Sequence, residues 1–382
     1  MSKVAFVNTL KVPSGEASVN RMLSLAKGLV ENGDEVDILS SAVHSKEYKK
    51  CNIDGVQIYN LGKSTSIMGL AHSLIKIARK IRAEHYDYVA ANTGSAILIW
   101  SLFFICKIYK AKLIHGISEF PFVLMSSNRI NKILAPIQIH ILYKLFDAVY
   151  IMTNPLLEYC TPLLRKSCRI IQIPMTVDPS RFNITKQSDS RFGRYIAYCG
   201  NMSGNKDGVE NLISAFGRVA NEIPDVSLVL IGGTNTPERF DELKQMVVAS
   251  GYRNIIFYGR ASRDEMPSLL KNAEVLALAR PSSLQSLGGF PTKLGEYLAT
   301  GNPAIVTAVG DIPLFLNEEN SFIVEPDNNE VFGNAIKYAI LNPQEATKRG
   351  LKGLELVKTV FDYRVQSKRL HDFLNDYSQK AE

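Results

Sequence analysis

Residues 281–303 read PSSLQSLGGFPTKLGEYLATGNP. A glycine-bearing turn runs into the start of a helix that carries one carboxylate, Glu296. A Gly- and Ser-rich loop feeding a helix N-terminus favours an anion, because the first backbone N–H groups are unpaired and the helix dipole is positive there. What matters next is which phosphate-bearing molecule such a stretch would hold.

On both sides the chain alternates strand and helix. RYIAYCGN, VSLVLIGG, NIIFYGR and VLALA precede the stretch, with helical segments at 208–222, 238–250 and 264–272 between them. PAIVTA, SFIVEP and three helices ending near Tyr377 follow it. The first half repeats the pattern through VAFVN, EVDIL, VQIYNL, YDYVAAN, AKLIHG and AVYIM, with helices over 18–32, 67–84, from 95 onward and over 129–146. Six strands with intervening helices predict a parallel sheet with right-handed crossovers in each half. Pro, Asp, Asn and Ser gather at 174–190, where a boundary is expected. The fold class is therefore α/β, with two Rossmann-like domains facing across a cleft. Residues 1–178 form the first, and 179–382 the second, with 363–382 packing back on the first. In open sheets of this kind ligands bind beyond the carboxyl ends of the strands.

The bulk properties agree. A chain of 382 residues, 46% apolar and 21% charged, suits two globular domains. MSKVAFVNTL passes straight into a strand, which is not the pattern of a signal peptide. Five scattered cysteines without a C-x-x-C pair point to reduced thiols in the cytoplasm, and away from a disulfide frame or zinc site. The net charge of +7 is uneven: through Ile170 there are 21 Lys and Arg against 12 Asp and Glu, and beyond it 23 against 25. A basic first half suits an anionic membrane surface. Without aromatic interleaving in loops it does not suit nucleic acid.

IPMTVDPSRF, CGNMSGNKDG and FPTKLGEYLATGNP, set in two Rossmann-like halves, resemble the retaining glycosyltransferases of family four. The resemblance spans nearly the whole chain and is most specific between Tyr198 and Thr307. It implies the GT-B fold and a nucleoside diphosphate sugar as donor substrate, with UDP favoured over GDP and no resident cofactor. It also implies transfer with retention to a hydroxyl of a glycan or lipid-linked acceptor, as in cell-surface polysaccharide synthesis at the inner face of the membrane.

Site residues follow from the residues first. In GGFPTKLGEY, backbone amides from Phe290 through Pro291 and Thr292 to Lys293 are placed to hold a diphosphate, and Glu296 to accept two ribose hydroxyls. The resemblance gives Glu296 that role. The family commonly has a second glutamate eight positions earlier, where this chain has Gly288. Gln285, Ser286 and the backbone around Gly289 are the remaining donor-sugar candidates. In CGNMSGNKDG, Gly200 and Asn201 line the donor, and Lys206 is a point charge suited to a phosphate gaining charge. The family's basic residue after the strand glycine is replaced here by Asn201. The resemblance implies that Arg260, in YGRASRDEM, meets the nucleobase.

In the first half His115 ends AKLIHG, and the resemblance gives it a contact with the donor sugar that supports the transition state. Glu119 is an acceptor candidate or orients His115. Gly15, in VNTLKVPSGEASVN, precedes a helix on the cleft side and is a further donor-binding candidate, for donor phosphates or acceptor, although the loop lacks the GxGxxG and GxxxxGK spacings. No D-x-D motif lies in a loop, so no metal is expected and the leaving group falls to Lys206 and the helix start. Two segments suit peripheral membrane contact: the helix bearing Lys76, Arg79, Lys80 and Arg82, and GSAILIWSLFFICKIYKAK, too short to span a bilayer of about 20 residues. Two other functions fit the frame, a sugar-nucleotide epimerase and a non-catalytic sugar-nucleotide binding subunit.

Overall fold

The computed structural model describes residues 1–14, 16–41, 50–62, 67–122, 129–186 and 191–379. The chain divides into two compact units, Met1–Thr176 with Tyr363–Glu382, and Val177–Asp362. The expected boundary at 178 thus stands two residues beyond the crossing, and the C-terminal segment from Tyr363 belongs to the first unit.

The first unit runs β1 (Lys3–Asn8), α1 (Ala17–Glu31), β2 (Glu35–Ser40), β3 (Lys50–Ile53), β4 (Val56–Asn60), α2 (Ile67–Glu84), β5 (Tyr88–Asn92) and α3 (Ala96–Tyr109). Then come β6 (Lys112–Ile117), α4 (Arg129–Tyr143), β7 (Ala148–Ile151), α5 (Asn154–Cys160) and β8 (Arg169–Gln172). Its eight strands lie in the order β3-β4-β2-β1-β5-β6-β7-β8. All are parallel except the β3–β4 pair. Two of these strands, β3 and β8, exceed the six expected. The first was legible in Asp54-Gly55: both residues take positive φ, 51° and 85°, the backbone a two-residue hairpin demands.

The second unit runs β9 (Arg194–Cys199), α6 (Val209–Val219), β10 (Val226–Ile231), α7 (Pro237–Ala249), β11 (Ile255–Gly259), α8 (Met266–Asn272) and β12 (Val275–Leu278). It continues α9 (Leu284–Gly288), α10 (Thr292–Ala299), β13 (Ala304–Thr307), α11 (Ile312–Phe315), β14 (Phe322–Val324), α12 (Asn329–Leu341) and α13 (Pro343–Leu356). Six parallel strands take the order β11-β10-β9-β12-β13-β14. Strands such as VSLVLI are apolar almost throughout because helices cover both faces of the sheet. On α6, Val209, Leu212, Ile213 and Phe216 recur at helical spacing and are fully buried. Each such side chain contributes about 1.5–3 kcal/mol of burial. The strand order reverses between β9 and β12, which is the switch point where open sheets bind ligands.

The last helix, α14 (Tyr363–Gln379), returns to α1 in the first unit. Gly28 makes the approach possible, since a Cβ there would lie 2.2 Å from Ser367 Oγ. Tyr363 donates to Glu31 at 2.6 Å and Tyr88 to the Leu374 carbonyl at 2.7 Å. Among the described residues no helix is long and apolar enough to cross a membrane.

Candidate functional site

Three glycine turns finish adjacent strands at the carboxyl edge of the second sheet. Gly200, Gly232 and Gly259 have φ of 152°, 143° and 88°. The Gly200 N–H donates to the Ile231 carbonyl at 2.9 Å, and the Gly232 N–H to the Gly259 carbonyl at 2.7 Å. A Cβ on Gly232 would lie 1.8 Å from the Gly200 carbonyl oxygen, so the loops stack only because side chains are missing. Outside them opens a cavity of about 410 Å³ lined by Gly232, Gly233, Thr234, Asn235, Phe240 and Arg260. Arg260 donates from Nη2 to the Thr234 carbonyl at 3.4 Å. Asn201 is exposed and joins Asn235 at 3.3 Å.

Beside this cavity lies a cluster of charge at the switch point. A 3-10 turn, Asn205–Asp207, brings Lys206 and Asp207 up against the chain leaving β12. Gly208, with φ of 67°, allows it: a Cβ there would meet the Ala279 carbonyl at 1.7 Å. Arg280, 1% exposed, donates to the carbonyls of Gly289 at 2.8 Å and Lys206 at 3.3 Å, and stands 3.7 Å from Asp207. Lys293 donates to Asp207 at 2.5 Å and to the Tyr198 hydroxyl at 3.3 Å. Burial pushes the Asp207 carboxyl up, but Lys293, Arg280 and Lys206 outweigh it and hold it below the usual range. Burial likewise works against the Lys293 ammonium, and Tyr198 and Asp207 outweigh it to raise its pKa. Three cations share one carboxylate, so the cluster is net positive.

The helix carrying Glu296 starts at this cluster. No side chain caps the first turn of α10. Of the four expected phosphate-binding amides, Pro291 has none to give, which leaves Phe290, Thr292 and Lys293. The Phe290 ring is core, packed on Phe315 and Phe361. The Cys199 N–H donates to the Tyr297 hydroxyl at 2.7 Å, tying α10 to the end of β9. Glu296, one turn in, accepts from Arg181 Nη1 at 3.2 Å. Burial raises its carboxyl pKa, and Arg181 opposes that. In the short helix α9, Ser286 is 1% exposed and its hydroxyl is bonded within the capping box to Ser283 and the Pro281 carbonyl. Gln285, in the same helix, is half-buried.

His115 and Glu119 belong to the first unit. His115 is the fourth of six residues of β6, not its last. Its Nδ1–H donates to the Ala91 carbonyl at 2.5 Å and its ring stacks on Phe146 with centroids 4.6 Å apart. Burial lowers its pKa to about 4, so near neutral pH the ring is uncharged and Nε2 is an acceptor. Glu119 is half-buried in the loop after β6. Gly15 lies outside the described residues. Sequence reading passed over Arg181, Asp207 and Arg280, although the first two stand inside IPMTVDPSRF and NKDG. Among the described residues no three His, Cys, Asp or Glu side chains gather so as to hold a metal ion.

Residues 193–342, all in the second unit, match the family model described as glycosyl transferases group 1. Over 324 residues the chain is 23% identical to an uncharacterized glycosyltransferase of Methanocaldococcus jannaschii, covering 80% of each. Over 159 residues it is 31% identical to the putative colanic acid biosynthesis glycosyl transferase WcaI of Escherichia coli, covering 40% of this chain and 37% of that one. HepE of Anabaena, solved in complex with UDP-glucose, matches with a TM-score of 0.75 at 14% identity, over 98% of this chain and 100% of that one. At such identity the likeness establishes the fold alone, two α/β units of the GT-B kind.

Proposed function

We propose that this chain is a metal-independent, retaining glycosyltransferase that moves a sugar from a UDP-sugar to a hydroxyl of a glycan or lipid-linked glycan. The observation that carries the reading is the placement of Glu296 one turn inside α10, next to the net-positive cluster of Lys206, Arg280 and Lys293. A carboxylate suits the two ribose hydroxyls, and the cluster with the first-turn amides suits the diphosphate. The glycine-lined cavity beside Arg260 is of a size and polarity for the base. In the reaction the bond from the anomeric carbon to the β-phosphate oxygen breaks. The acceptor oxygen bonds to that carbon from the same face, and its proton passes to the departing phosphate oxygen. Fixed cations at the phosphate stabilise the charge that develops there. Relatives named for glycosyl transfer and colanic acid biosynthesis support the reaction class.

Calorimetry with UDP in the presence of EDTA tests the reading. Wild type binds, and Glu296→Ala binds at least about 1 kcal/mol more weakly, since hydrogen bonds to a charged group are worth about 1.5–3 kcal/mol. Unchanged affinity removes Glu296 from the ribose. Peripheral contact with an anionic membrane belongs to the same reading and rests on the outer face of α3.

A further inference from the structure

Glu296 does not stand alone. The segment that opens the second unit forms a 3-10 turn, Pro179–Phe182, started by Asp178, whose carboxylate accepts from the Ser180 N–H at 3.1 Å. Phe182, 1% exposed, anchors the turn in the core, where it packs against α8 and α10. Arg181, thus fixed, donates from Nη1 to Glu296 Oε1 at 3.2 Å and from Nη2 to the Arg263 carbonyl at 3.0 Å. One guanidinium therefore joins three pieces of chain: the opening turn, the loop after β11 and the helix of Glu296.

We propose that Arg181 is the positioning residue for Glu296, aiming its carboxylate at the ribose hydroxyls and supplying the charge that keeps it an acceptor. The proposal rests on the ribose reading of Glu296. Arg181 acts through Glu296 and need not touch nucleotide. The charged and titratable groups acting on Glu296 are Arg181 from the turn, Lys293 from its own helix, Arg263 from the loop after β11 and Cys199 at the end of β9. Lys293 is committed to Asp207, and Arg263 ranks below both Arg181 and Lys293 in its effect. Arg181 is the cation bonded directly to the carboxylate. Burial favours the protonated acid, and an acid with its proton in place presents a donor on one oxygen where a ribose hydroxyl needs an acceptor.

The test is UDP affinity by calorimetry at about pH 6, 7 and 8.5, with each variant compared to wild type at the same pH so that phosphate ionisation cancels. Arg181→Met is expected to bind more weakly than wild type, with the largest loss at the lowest pH, where the protonated acid is most favoured. Arg181→Lys, which keeps the charge, falls between. Arg181→Gln makes the same measurement should Arg181→Met fail to fold, since its amide can still reach the Arg263 carbonyl. In Glu296→Gln/Arg181→Met the pH dependence disappears. A loss equal at every pH, or no loss, overturns the positioning role. Full UDP affinity in Glu296→Ala instead overturns the ribose reading, so the two failures are distinct.

Discussion

Lys293 reaches from the first turn of α10 to Asp207 at the end of the β9 loop, 2.5 Å from Oδ2, with its ammonium directly against Gly200. A Cβ on Gly200 would stand 1.9 Å from that nitrogen. The pair thus welds the loop that follows β9 to the helix that carries Glu296, and Arg280 joins it from the other carboxylate oxygen.

Asp207→Asn removes the carboxylate that Lys293, Arg280 and Lys206 share. Removing one partner of a buried pair costs about 3–5 kcal/mol, so urea unfolding should show a loss of that order. The same carboxyl makes stability depend on pH. Its folded pKa lies below the ordinary value, so its contribution is complete above about pH 4 and is lost as pH falls through the folded value. Asp207→Asn should lack that part of the acid limb.

Gly232→Ala should be worse than its size suggests. The position has φ of 143° and the new methyl would meet the Gly200 carbonyl oxygen at 1.8 Å, so backbone must move. The backbone conformation alone costs about 1–3 kcal/mol. Gly251→Ala is the control, with φ of 64° and nothing within 4 Å, and should cost only about 1–2 kcal/mol. Thermal unfolding of the two variants compares them, and a melting point for Gly232→Ala as high as the control would contradict the stacking of the loops.

The sheets and the glycine turns were legible in the sequence because parallel strands are apolar throughout and only glycine reaches positive φ freely. Helix α2 begins and ends where its periodicity says. Strand β8 was hidden in RIIQ, whose residues are only half-buried and whose pattern is too short to separate from the segment that follows. The site was half legible. Lys206 stands in the glycine-bearing CGNMSGNKDG, and Lys293 and Glu296 in GGFPTKLGEY, so the local pattern of each stretch singles them out as candidates. Arg181 and Arg280 act from 115 and 16 residues before Glu296 and Glu296's helix is what brings them into view; their partners are set by tertiary contact, which spacing does not encode.

His115 gives a pH signature of opposite origin. Its folded pKa, about 4, lies below the ordinary 6.5, so the unfolded chain binds more protons between those values. Stability therefore falls as pH drops from about 6.5 toward 4, by up to about 3 kcal/mol at 1.36 kcal/mol per pH unit. His115→Asn should flatten that window in denaturant titrations at each pH. A wild-type curve no steeper than that of the variant would mean the ring is charged in the fold.

The outer face of α3 decides the membrane question. Ile97, Phe104 and Ile108 recur at helical spacing and are each more than half exposed, with Trp100 stacked on Phe104 at 5.9 Å. Lys107 and Lys110, both exposed, close the C-terminal end of the stripe. The neighbouring α4 exposes Ile137 and Ile141 with Lys144. Lys80 on α2, by contrast, is spent on Glu84 at 2.6 Å and on the Tyr59 ring. Apolar side chains beside lysines suit an anionic bilayer surface, each lysine adding about 1 kcal/mol near it. Co-sedimentation with phosphatidylglycerol vesicles should therefore retain the protein, less so at high salt, and neutral phosphatidylcholine vesicles should hold it weakly. Phe104→Glu/Ile108→Glu should release it from the anionic vesicles while leaving UDP affinity intact. Equal retention of that variant would move the contact away from α3.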